Sequence, residues 1–142
     1  MDEKQLFDFL SRCKHLKSKF FGVFAADNFP LTLPPGTFVI MNASGANSLG
    51  THWMLLLNKE GTYVFVDPLG EPVESYTTVY KRLMHKHQSI QQIARGVSAQ
   101  PKNSALCGLY CIYIAHLLFK DAKFNYTLIN DYQLLKFAHH ML

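Results

Sequence analysis

Between Lys4 and Phe20 the apolar residues Leu6, Phe7, Phe9, Leu10, Cys13, Leu16 and Phe20 recur at three- and four-residue steps. That spacing puts them on one stripe and predicts a first helix. The next stretch, Gly22 to Pro30 and then Pro34-Pro35-Gly36, is apolar but punctuated by Pro and Gly, so it reads as irregular chain packed on something else. Thr37–Met41 and His52–Leu57 are short, almost wholly apolar runs, and Thr62–Val66 follows the turn Asn58-Lys59-Glu60-Gly61. All three read as strands of a small antiparallel sheet. Ser75 to His87 has helical spacing, and Gln92 to Val97 has the weak signal of a short strand. Leu106 to Phe119 is apolar on every face, which makes it a buried central helix, with Asn103-Ser104 before it as capping residues. Asn130-Asp131 cap a last amphipathic helix whose buried side is expected to carry Tyr132, Leu134, Leu135, Phe137, Ala138 and Leu142.

A chain of 142 residues, 49% hydrophobic and 17% charged, has enough apolar material for one core, and residues 1–142 read as one domain without repeats or linkers. No apolar run approaches the ~18 residues that span a bilayer, so no membrane association is expected. The start, Met1-Asp2-Glu3-Lys4-Gln5, lacks the basic stub and apolar region of a secretory signal. The cysteines, Cys13, Cys107 and Cys111, are odd in number and sparse, which fits an intracellular, reducing compartment. A net charge of +4 is a mild excess, compatible with weak binding of polyanions, and its basic residues alternate with apolar ones as on wet helix faces.

Cys107 falls in the first turn of the buried helix, where free amides and the helix dipole favour a thiolate. Gly108 beside it leaves room for a substrate backbone. His52 opens a strand and is a candidate base, and Asp67 ends the next strand, so a hairpin brings both to one sheet edge. Taken singly, each has an ordinary structural reading: a small core thiol, a satisfied histidine, a turn residue before Pro68. The set in the order His, Asp, Cys is one in which thiol proteases assemble their parts. His85 and His87, like His139 and His140, face different ways on predicted helices and have no acid or thiol to complete a shell, so no metal site is expected.

Four blocks carry a family resemblance. They are Phe21-Gly22-Val23-Phe24 to Phe29-Pro30; Met41-Asn42-Ala43-Ser44-Gly45 through Gly50-Thr51-His52-Trp53-Met54; Val64-Phe65-Val66-Asp67-Pro68-Leu69-Gly70; and Gln100 through Cys111. Together they resemble the adenovirus protease (adenain) family and, more distantly, the cellular proteases of ubiquitin-like modifiers. The resemblance implies an α+β, papain-like two-layer domain with its sheet packed on the helix carrying the nucleophile. It implies Cys107 as nucleophile, His52 as base and then acid, Asp67 as orienting carboxylate, and Gln100 as an oxyanion donor with the Cys107 amide. It also implies a substrate side formed by the loop holding Asp27 and by Gly50, Thr51, Trp53 and Gly108, with Trp53 roofing a tunnel for glycine. The expected substrates are proteins with Gly-Gly or Gly-X sites, either viral or mobile-element precursors or ubiquitin-like conjugates, met in the host nucleus or the virion.

The acid here is Asp where the adenovirus branch has Glu, with Glu71 as the alternative, and Leu69 replaces an aromatic residue. The stretch from His87 to Ala99 has no Cys for the family's disulfide-linked peptide activator, and the chain is shorter after the nucleophile helix, where part of the surface attributed to a DNA cofactor lies. The sequence therefore requires neither activator. Two other readings stay open: an acyltransferase of the same clan, and a catalytically idle module that binds glycine-rich tails.

Overall fold

The structure is a computed structural model that describes residues 2–43, 52–100, 106–120 and 129–141. Its centre is a five-stranded sheet in the order β1 (Phe20–Phe24), β2 (Thr37–Asn42), β3 (Trp53–Lys59), β4 (Thr62–Val66) and β5 (Gln91–Gln92). The expected antiparallel unit is present: β2, β3 and β4 form a meander in which Ile40 faces Leu55 and Leu56 faces Phe65. A parallel strand is added at each edge, β1 on β2 and β5 on β4.

Strand alternation divides the core. Phe38, Ile40, Trp53, Leu55, Leu57, Val64 and Val66 face one side, where they meet α1 (Glu3–Arg12), α3 (Cys107–Phe119) and α4 (Asp131–Met141). Val39, Met41, Met54, Leu56 and Phe65 face the other. That side is covered by Ala26, Phe29 and Leu33 from the β1–β2 connection and by Val79 and Leu83 from α2 (Thr77–Lys86). A sheet covered on both faces explains why its strands read as continuous apolar runs and not as alternating ones.

Several elements depart from the sequence reading. The first helix ends at Cys13, where ψ of 105° leaves the helical region, and the chain continues to Phe20 through tight turns. Cys13 and Leu16 are still buried, but Phe7 stands half in solvent. The segment read as irregular contains β1, with a register shift between Phe20 and Gly22. The weak strand shrinks to Gln91–Gln92, followed by turns. On α4, Leu134 is buried and Phe137 and Ala138 pack against the core, while Tyr132 and Leu135 are exposed. The stripe therefore runs through Leu134 and Met141. Asn130 does cap α4, accepting the Gln133 amide at 2.9 Å. The proposed caps of α3, Asn103 and Ser104, lie outside the described residues, as does Leu142.

Candidate active site

The two ends of the β3–β4 hairpin and the start of α3 converge. His52 immediately precedes β3, and its carbonyl accepts the Ala43 amide at 3.0 Å, which extends the ladder with β2 by one residue pair. Asp67 immediately follows β4. Because β3 and β4 are antiparallel neighbours, the start of one lies beside the end of the other, and His52 Nε2 sits 2.6 Å from Asp67 Oδ1. The nucleophile candidate arrives from the helix that crosses this face. The Trp53 carbonyl accepts the Cys111 thiol at 3.3 Å, so the start of β3 is tied to α3 one turn beyond Cys107.

The Cys107 thiol and the His52 imidazole lie near enough for each to shift the other's pKa. With Nε2 engaged by Asp67, the ring nitrogen left for the thiol is Nδ1. Burial pulls the His52 pKa down, but its hydrogen bonds to Asp67 and Cys107 and the charge of both outweigh that and push it up to about 9. Burial raises the Cys107 pKa, and the hydrogen bond from His52, the backbone of Trp53 and the imidazolium charge reverse the sign, leaving it below its ordinary value. Both directions favour a thiolate–imidazolium pair. Cys111, fully buried one turn below, is driven the opposite way, well above the ordinary thiol range.

Asp67 is itself enclosed. Its Oδ1 also accepts the Leu69 amide at 2.9 Å, and Oδ2 accepts the Glu71 amide at 3.2 Å and the Tyr76 hydroxyl at 2.5 Å. Glu71, the alternative acid, is exposed and contributes its backbone instead. The turn closes on Gly70, whose φ of +78° suits glycine and whose absent Cβ would lie 2.6 Å from the Val97 carbonyl oxygen. That contact lays the 93–100 segment along the turn. The Gly96 amide bonds the Gly70 carbonyl at 2.8 Å, and the amides of Ala99 and Gln100 both bond the Pro68 carbonyl, at 2.8 and 3.0 Å. Gln100 is thus buried and held against the residue next to Asp67.

The remaining expected site residues are placed as follows. Trp53 is buried on the α3 side, in the same core cluster as Cys107. Asp27 is exposed in the loop after β1. Gly50 and Thr51 lie outside the described residues. Gly108 is buried, and a Cβ there would come within 2.6 Å of Leu6 Cδ2, so its smallness lets α1 approach α3. Among the described residues no three His, Cys, Asp or Glu side chains are grouped to hold a metal, and no helix is long and apolar enough to cross a membrane. Sequence reasoning missed Tyr76; its only signal was a tyrosine at the start of a predicted helix.

A family model described as adenovirus endoprotease matches residues 20–135. The chain belongs to the adenovirus endoprotease family. That family is one of cysteine proteases. Among solved structures it is similar to the ASFV pS273R protease, at 14% identity and a TM-score of 0.52 over 89% of this chain. It spans only 61% of the length of that chain. A selenomethionine structure of the same ASFV protease aligns at 15% identity and a TM-score of 0.47, covering 75% of this chain and 43% of its own. The likeness is one of α+β fold. No curated protein sequence matches the chain.

Proposed function

We propose that the chain is a thiol endopeptidase that matures viral or mobile-element precursor proteins, or trims ubiquitin-like conjugates, at Gly-containing sites. The observation that carries this reading is the 2.6 Å hydrogen bond between His52 and Asp67 beside the Cys107 thiol, with the imidazole raised and the thiol lowered in pKa. In the proposed cycle the Cys107 thiolate attacks the scissile carbonyl carbon. The resulting oxyanion is held by the Cys107 amide and the Gln100 side-chain amide, a role supported by the burial of Gln100 and the anchoring of the Ala99 and Gln100 amides on the Pro68 carbonyl. His52 gives its proton to the leaving amine as the C–N bond breaks, leaving a thioester on Cys107. His52 then takes a proton from water, which attacks the thioester and releases the acid product.

Glycine selectivity rests on the family resemblance and on Trp53, whose buried ring shares a core cluster with the nucleophile. Gly50, Thr51, Asp27 and Gly108 are proposed to line the substrate side. The same reading places the enzyme in the host nucleus or the virion. The deciding experiment is a cleavage profile over peptides that differ only in the two positions before the cut, run on the wild type and on Cys107→Ala. Cutting after glycine that Cys107→Ala abolishes is the expected result. Equal cutting after Gly, Ala and Leu removes the tunnel, and activity that survives in Cys107→Ala removes the mechanism. An acyltransferase would instead modify a protein amine from acetyl-coenzyme A, and an idle binding module would leave an active-site thiol probe unreacted.

A further inference from the structure

We propose that Tyr76 is a positioning residue of this site, its hydroxyl fixing the rotation of the Asp67 carboxylate that faces His52. The inference rests on the endopeptidase reading above. A carboxylate free to swing about its Cβ–Cγ bond turns its oxygens out of line with the ring N–H, and an imidazole held by such a partner is held loosely. In this site the two oxygens are given separate tasks. Oδ1 faces Nε2 of His52 and accepts the Leu69 amide, while Oδ2 accepts the Glu71 amide and the Tyr76 hydroxyl.

The amides of Leu69 and Glu71 belong to the same turn as Asp67 and move with it. Tyr76 reaches the carboxylate from outside that turn. It sits between the short 3-10 helix Val73–Ser75 and α2, and its φ of −98° and ψ of 80° interrupt the helical run at the point where its half-buried side chain meets Asp67. The same ring lies beside the imidazole, with centroids 6.2 Å apart and planes inclined by 27°. One side chain therefore touches the acid and flanks the base. Burial, the Asp67 carboxylate and Glu71 hold the phenol well above its ordinary pKa, so it keeps its proton. That single proton is committed to Oδ2, which leaves Oδ1 for Nε2 and Nδ1 for the thiol.

The test compares Tyr76→Phe with the wild type on one cleavable peptide. The variant is expected to lose about tenfold in kcat with KM unchanged, as for a group that acts only on the reacting geometry. The alkaline limb of kcat/KM is expected to move to lower pH, because a freer carboxylate holds the imidazolium less firmly. In an Asp67→Ala background the same substitution is expected to cost nothing further, since the hydroxyl then has no carboxylate to fix. Turnover within about twofold of the parent, or a loss repeated in full in the Asp67→Ala background, would overturn the assignment. Should Tyr76→Phe fail to fold, Tyr76→Leu is taken through the same cycle with the same two outcomes. Failure of the endopeptidase reading is separate, because it appears as no cleavage by the wild type, or as cleavage that survives in Cys107→Ala, whatever happens at position 76.

Discussion

Burial by itself would leave the Cys107 thiol protonated, since a thiolate taken out of water is disfavoured. The partner that reverses this is His52, and the partner that keeps His52 charged is Asp67. Cys111 gives the internal comparison: on the same helix, one turn on, it has burial without an imidazole and its pKa rises. Iodoacetamide is therefore expected to label Cys107 well before Cys111 or Cys13, and Cys111→Ala to be mild while Cys107→Ala abolishes turnover. Fastest labelling of Cys111 or Cys13 would contradict this, and mass spectrometry of the labelled protein decides it. Gln100→Ala is expected to cost about 10²–10³ in kcat through loss of one oxyanion donor, while leaving the alkylation rate of Cys107 near wild type. An unchanged kcat would remove Gln100 from the mechanism. At this scale the sequence was most informative through motifs, because Cys107, His52, Asp67 and Gln100 occur at recognisable places in three of the four blocks. Tyr76 had no such marker: its role depends on a bend between two helical segments that bring it to Asp67, which no local pattern encodes.

The hairpin and helix are what turn these residues into a site, and glycine decides how closely they pack. A Cβ at position 108 would press into Leu6, which brings α1 against the first turn of α3. Gly108→Ala is accordingly expected to destabilise the fold by roughly 1–3 kcal/mol through overpacking, with part of the loss recovered by Leu6→Ala. Denaturant midpoints of the two single variants and the double variant measure this. Altered peptide selectivity with unaltered stability would instead favour a substrate-side reason for the glycine. The elements legible in the sequence were those whose burial is complete. The all-apolar α3 had to be central, and the β2, β3 and β4 runs had to be strands because their residues are buried on both faces. What escaped was decided by distant partners. β1 becomes a strand by pairing in parallel with β2 across an irregular connection, and β5 by pairing with β4 across α2. Cys13 and Leu16 keep the burial a longer helix would give them, so periodicity alone extends α1 through a turn. On α4 the apolar Tyr132 and Leu135 follow helical spacing yet point away from the core.

For the whole molecule, the coupled pair makes stability depend on pH in a way that single residues do not. The folded His52 has a pKa raised from 6.5 to about 9, so its contribution is fully present below the unfolded value and is lost as pH rises through about 9. The folded Cys107 has a pKa lowered from its ordinary 9.0, so its contribution is present above that value and is lost as pH falls through the folded one. Between these limits the two shifts oppose one another, since folding favours proton uptake at His52 and proton release at Cys107. The pair's contribution to the slope of stability against pH is therefore smaller than that of His52 alone. Cys107→Ser breaks the compensation, because a hydroxyl does not ionise in this range while His52 keeps its hydrogen bond to Asp67. The expected outcome is that the urea midpoint of Cys107→Ser falls more steeply than that of the wild type as pH is raised from about 6.5 to 9. Adding His52→Ala to that variant should restore the shallower slope, since no imidazole then remains to titrate. Parallel midpoints for wild type and Cys107→Ser across that interval would mean that the proton does not pass between the two side chains, and that the thiolate–imidazolium pair is absent from the resting enzyme.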